Sequence, residues 1–210
     1  MVFSAVILVG ALLAGSACGG RVRSLGTIAL QRRPLVPLAL AVQLAGGVIG
    51  GYRWCLAVSV AMVIAFLAAN RHVQGTGLVS LGLLANALVV GVNGAMPVSA
   101  EASGRAGVST QPLLRGTDPR HELAGPGTQL RWLSDVIPAP LPWRPQVVSP
   151  GDVLIAAGLA QLVFVGMRRL GKALITGTER LSAEDRVERI DRGAATARAA
   201  LAAELLAPER

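Results

Sequence analysis

Charge is scarce in this chain. Asp, Glu, Lys and Arg make up 15% of its 210 residues, against about a quarter in an ordinary soluble domain. Aromatic residues are rarer still, at 3%. No basic stripe therefore alternates with stacking rings, which weighs against a single-strand nucleic-acid groove. The only cysteines are Cys18 and Cys55, too few for a disulfide framework. Lysine occurs once, as Lys172, and arginine carries nearly all the positive charge; with the abundant Ala and Gly this composition suggests a GC-rich bacterial source. The long apolar runs hold no ionisable residue in their middles, which weighs against an ion- or proton-coupled transport path.

What the chain has instead is apolar sequence. Hydrophobic residues reach 52% and the mean hydropathy is +0.55. Five long stretches stand out, near residues 2–18, 35–52, 55–69, 76–96 and 152–167. Each is about long enough to cross a hydrocarbon core of roughly 30 Å at 1.5 Å per residue. The expected fold class is all-α: a polytopic membrane bundle of about five transmembrane helices in residues 1–175, with a Pro-rich extracytoplasmic loop over 97–151 and a cytoplasmic amphipathic helix within 178–207.

The formal net charge of +8 is distributed as a topology signal. Arg21, Arg23, Arg32, Arg33, Arg71, Arg168, Arg169 and Lys172 all lie at the ends of apolar segments. The positive-inside rule makes these ends cytoplasmic. The N-terminus is then outside, the C-terminus inside, and Tyr52-Arg53-Trp54 forms a tight outer turn. No basic residue precedes the first span and the residue three before Cys18 is Gly15, so the span is read as uncleaved rather than as a signal peptide or lipoprotein leader. Cys18 and Cys55 fall near opposite faces, too far apart to bridge. Gly46, Gly47, Gly50 and Gly51 overlay two G-x-x-x-G patterns in the second span. Such a face suits close helix packing, within the bundle in preference to a homo-oligomer.

The loop 97–151 holds nine of the twelve prolines. It excludes long helices, and its Pro138–Pro145 section is expected to be extended and polyproline-like. Five arginines face four acids there, a balance that suggests an ordered lid. Leu130 to Ile137, with Trp132, reads either as a segment on the outer leaflet or as a loop packed on the helix ends; Trp54 and Trp143 join it on the outer side, where amphipathic rings prefer the interface. In the tail, Ser182-x-x-Asp185 resembles a capping box, and Asp185–Arg189 and Glu188–Arg192 are favourable i,i+4 pairs. A helix lying on the bundle or membrane surface is expected there before a coiled coil.

Groups able to carry chemistry are few. Gln43, Asn86, Asn93 and Gln161 are the polar residues of the spans, expected mainly as interhelical hydrogen-bond partners. On the outer side lie Asn93, Asp118, Arg120, His121, Glu122, Asp135 and Asp152. Asp135, Asp152 and His121 are the catalytic candidates; Asn93, Arg120, His121, Asp135 and Asp152 are the binding candidates. One histidine without H-x-x-x-H or C-x-x-C spacing does not make a metal site. No G-x-S-x-G elbow or phosphate-loop spacing occurs, so no cofactor is expected. Asp152 is read first as the N-cap of the fifth span.

Three stretches carry a family resemblance: Asn93-Gly-Ala-Met-Pro-Val-Ser99, Thr128-Gln-Leu-Arg-Trp-Leu-Ser-Asp-Val-Ile-Pro138, and Val148-Ser-Pro-Gly-Asp-Val-Leu-Ile155, with Arg120-His121 between the first two. They are similar to a group of bacterial multi-pass membrane proteins described only as a domain of unknown function. Pro150 stands where that pattern has an aliphatic residue, and the tail after Thr178 looks peculiar to this chain. The resemblance implies a bacterial inner-membrane location and no activity. Ser149-Pro-Gly-Asp-Val-Leu-Ile155 also loosely resembles the final-span motif of signal peptidase II, an intramembrane aspartyl protease. The Gly-Asn-x-x-Asp-Arg block bearing the other aspartate of that enzyme is missing.

Three readings follow: a non-enzymatic membrane protein whose outer loop binds a lipid, peptide or partner; an intramembrane aspartyl hydrolase using Asp135 and Asp152; and an oligomeric small-solute transporter.

Overall fold

The computed structural model describes residues 2–49, 52–168, 187–188 and 190–192, with the side chains of residues 47–49, 52 and 53 left out. Its helices follow the apolar runs: α1 Val2–Ala17, α2 Leu35–Ile49, α3 Tyr52–Ala69, α4 Thr76–Asn93, the short α5 Ala100–Ala106 and α6 Gln111–Leu114, and α7 Pro150–Arg168. Mostly helical architecture is as the sequence predicts. The loop adds what an all-α reading omits, four three-residue strands: β1 Met96–Val98, β2 His121–Leu123, β3 Ile137–Ala139 and β4 Gln146–Val148.

α2 and α3 form an antiparallel hairpin, and α3 packs in turn on α4. Ser59 Oγ of α3 donates to Gln43 Oε1 of α2 at 2.7 Å, the kind of amide bridge expected between apolar helices. Gly46 is buried, while the other three glycines of its pattern lie outside the described side chains. A different glycine set closes the bundle. Gly75 and Gly82, at the start and within α4, meet Gly158 and Gly151 of α7 in antiparallel order. A Cβ built on Gly158 would lie 2.6 Å from the Gly75 carbonyl oxygen and 2.7 Å from Val79 Cγ2. One built on Gly82 would strike the Gly151 carbonyl, and one on Gly151 the Asn86 side chain. Both pairs are spaced by seven residues, two helical turns, so one stripe of each helix stays bare and the backbones touch.

The loop 97–151 is an ordered lid seated on the ends of these helices. β1 pairs in parallel with β2, Met96 opposite His121 and Val98 opposite Leu123. On its other side β1 forms a parallel bridge between Val98 and Asp135. β3 and β4 form an antiparallel hairpin, with Ile137 opposite Val148. The Pro138–Pro145 stretch is thus extended only in part. Pro138 sits inside β3, and the chain turns back through Leu141, whose N–H donates to Ala139; strand pairing replaces the expected continuous polyproline run. Ser99 caps α5 by accepting from Ala102 N–H, and Gly107 ends it in the left-handed region at φ 74, the usual pairing of polar N-cap and C-terminal glycine. Val89, Val90 and Met96 form the buried cluster beneath the lid, with Leu56, Leu130 and Leu133 against it.

Two asparagines hold loops to helix ends in the same way. Asn93, the last residue of α4, accepts from Gln129 N–H at 2.9 Å and donates to Gln129 O at 3.0 Å. Asn70, just beyond α3, accepts from Gln31 N–H at 2.8 Å and donates to Gln31 O at 3.0 Å. One latch fixes the lid. The other fixes the 18–34 segment at the opposite end, where the exposed Cys18 also lies. Of the expected tail helix, the described residues include only Val187, Glu188, Ile190, Asp191 and Arg192, all helical, and Glu188 pairs with Arg192 at 2.8 Å. Asp185–Arg189 and the capping box at Ser182 lie outside the described residues.

Candidate functional site

The α7 N-terminus anchors the candidate site. Ser149 is its N-cap: the Ser149 hydroxyl accepts from Asp152 N–H at 3.0 Å, and Asp152 Oδ2 reaches back to Ser149 N–H at 3.4 Å. This is a capping box with aspartate in the third helical position and Pro150 in the first. Asp152 therefore serves the helix start as expected, but Ser149 holds the N-cap. The reason is reach: a hydroxyl three residues upstream meets the free N–H, and the carboxylate closes the reciprocal bond. Asp152 Oδ1 also accepts from Asn86 Nδ2 of α4 at 2.8 Å, while Asn86 Oδ1 accepts from Ser149 Oγ at 2.9 Å. The network sits where the Gly82–Gly151 contact brings the two helices together.

Above it lies Asp135, fixed by its backbone. Its N–H donates to Pro97 O and its carbonyl accepts from Ser99 N–H. The residue is 5% exposed, and its Oδ1 meets no hydrogen-bond donor among the described residues. Burial, and next the charge of Asp152, push its carboxyl up to about 7. Both influences disfavour a second negative charge in a poorly hydrated place.

His121 joins this carboxyl to another. Nε2 stands 3.9 Å from Asp135 Oδ2, and Nδ1 is 2.8 Å from Asp118 Oδ2. The two ring nitrogens point to opposite sides, so the carboxylates flank the imidazole and do not converge on one point, as a metal site would require. Burial opposes ionisation of Asp118, but hydrogen bonds from Arg120 N–H and the His121 ring outweigh it and hold its pKa below the usual value. The result is a polarised array: an acid that stays ionised, an imidazole, and an acid that keeps its proton to near neutrality.

Of the sequence candidates, Asp135, His121 and Asp152 come together at the lid end. Arg120 contributes its backbone, donating to Asp118 Oδ1 at 2.9 Å and accepting from Met96 N–H. Asn93 stands apart as the lid latch. Ser149 and Asn86 complete the network, and the Ser149-x-x-Asp152 spacing is the signal that could have found the first of them.

The whole of this arrangement falls inside one matched region, residues 27–164, of a family described as a family of unknown function, DUF5317. The chain belongs to DUF5317. The matched region of this DUF5317 chain takes in α2 to α6, the lid and most of α7, and leaves out α1 and the tail. No curated protein and no solved structure matches the chain.

Proposed function

We propose that this DUF5317 protein is a non-enzymatic integral protein of the bacterial inner membrane. Five helices (α1–α4 and α7) cross the bilayer, the N-terminus lies outside and the C-terminus in the cytoplasm, and the lid binds a lipid, peptide or partner at the outer leaflet. Two helices, Thr76–Asn93 and Pro150–Arg168, are long and apolar enough to span, with only 28% of each apolar stretch buried. Leu81, Leu84, Leu88 and Val92 form an exposed stripe along α4, a surface suited to lipid.

The observation that carries the lid's role is the placing of tryptophan. Trp54 is 80% exposed, Trp132 69% and Trp143 73%. Trp54 opens α3 near Leu56, which packs beneath the lid, and the other two belong to the lid itself. Exposed indoles around an ordered cap match an interfacial belt. The test is Trp132 fluorescence in proteoliposomes, with Trp54 and Trp143 changed to Phe. Lipids brominated near the headgroup should quench it strongly; emission unchanged from water-exposed indole would sink the reading.

A second reading, the aspartyl hydrolase, is favoured by one observation: Asp135 holds its proton to about 7 beside the charge of Asp152, the asymmetry aspartyl chemistry uses. It ranks second because both Asp152 oxygens are already taken, by Asn86 and by Ser149 N–H.

A further inference from the structure

The end of the bundle opposite the lid gathers arginines from four separate parts of the chain. Arg21 N–H donates to Met167 O at 3.0 Å, which sets Arg21 and Arg23 beside Arg168 at the end of α7. Leu25 and Ile28 press onto Gly166, where a Cβ would come within 2.7 Å of Leu25 Cδ2. Further along, the Asn70 latch grips Gln31 and brings Arg32 and Arg33 to the end of α3, next to Arg71. Arg21, Arg23, Arg32, Arg33, Arg71 and Arg168 are all exposed. No carboxylate precedes Glu101 in the sequence, Glu101, Asp118, Glu122, Asp135 and Asp152 belong to the lid end, and the other seven acids follow Arg168 in the tail.

We propose that this end is a binding site for the phosphate headgroups of anionic phospholipids. The proposal rests on the membrane reading above and names a partner for it. Orientation in a bilayer needs only that basic residues occur in the loop; it does not need them fixed together. Here they are fixed. Asn70 is 0% exposed and spends its side chain on Gln31 and Phe66. Arg32 is held in the left-handed region at φ 53, a conformation that costs an arginine energy and persists only where neighbours impose it. The stapled loop holds these arginines at one end of the bundle, where an anion with several acceptor oxygens can meet more than one of them. In an anionic leaflet each such arginine adds severalfold to the attraction.

The experiment uses the full chain in phosphatidylcholine nanodiscs with and without phosphatidylglycerol, and reads lipid affinity by native mass spectrometry and Tm. Phosphatidylglycerol should bind preferentially and raise Tm. R21Q/R23Q/R32Q/R33Q should weaken that preference at least about tenfold. Asn70→Ala, which removes no charge, should weaken it partly. Equal binding of the two lipids would overturn the site, as would inorganic phosphate competing fully with lipid. An unchanged preference in both variants would overturn it too. Protein that does not enter phosphatidylcholine bilayers at all would instead overturn the membrane reading.

Discussion

Asp135 and Asp152 divide the labour of two carboxylates through their surroundings. Asp152 is solvated by designed donors and stays in the helix-start network. Asp135 is buried with an oxygen that meets no donor among the described residues. In the unfolded chain Asp135 would ionise near 3.8, and in the folded chain near 7. Between those values the folded state binds the extra proton, so this group's contribution to stability falls as pH rises from about 4 to about 7 and is flat above. Its size is on the order of a few kcal/mol at most. Asp135→Asn should remove that slope, measured by denaturant unfolding across pH. Asp152→Asn should keep the cap oxygen but remove a repelling charge, so the midpoint of the slope should move to lower pH. His121 Nε2 faces the same carboxyl at 3.9 Å, so the comparison is repeated in a His121→Gln background. A slope unmoved by Asp135→Asn would mean that another group carries the pH dependence.

At the scale of elements, the sequence was most legible where a single physical property decides the outcome. Apolar runs longer than a dozen residues became helices, within a few residues of their expected ends, because burial of backbone amides in an apolar stretch leaves few alternatives. Pro138 and Pro140 misled: they excluded helix correctly, but strand pairing with Gln146–Val148 depends on a distant partner that local composition does not announce. Ser149 was legible as a cap from its spacing to Asp152, yet the nearer Gly-Asp dipeptide drew the assignment. The glycine seam is the larger omission. Gly46 and its neighbours advertised a packing motif in one segment, whereas Gly75, Gly82, Gly151 and Gly158 make sense only once α4 and α7 are set antiparallel. Gly158→Val should overpack this contact and lower stability by roughly 1–3 kcal/mol in detergent, read as a fall in Tm. Gly77→Ala, on the facing helix α4 with nothing within 4 Å of the new methyl, should leave it unchanged or raise it slightly. Equal effects from both would show that the seam is not a close contact in solution.

Over the whole molecule the two ends differ in kind. One carries ordered strands, exposed indoles and all five carboxylates described between residues 101 and 152; the other carries exposed arginines on a latched loop. Such polarity suits a protein held in one orientation between two unlike aqueous phases. With Cys18 and Cys55 replaced by Ser, single cysteines at Gly104 and Gly26 report on it directly, since a side chain at either meets nothing within 4 Å. In intact cells a membrane-impermeant maleimide should label Gly104→Cys and spare Gly26→Cys. The reverse pattern would invert the topology, and labelling of both would contradict a single orientation.

The lid's latch has a chemical lifetime as well as a strength. Asn93 is followed by Gly94, a pair prone in flexible peptides to spontaneous deamidation, in which the glycine nitrogen attacks the asparagine side-chain carbon. Here Gly94 N–H is tied to Val90 O at 2.8 Å, and the Asn93 amide is committed to Val89 and Gln129. The fold shields the very bond on which its lid depends. Once the latch opens, that protection ends. A carboxylate formed at 93 could no longer donate to the Gln129 carbonyl, so deamidation would cost the lid one of its two latch bonds. Chemical ageing at Asn93 is therefore expected to be slow in the folded protein and fast once it unfolds.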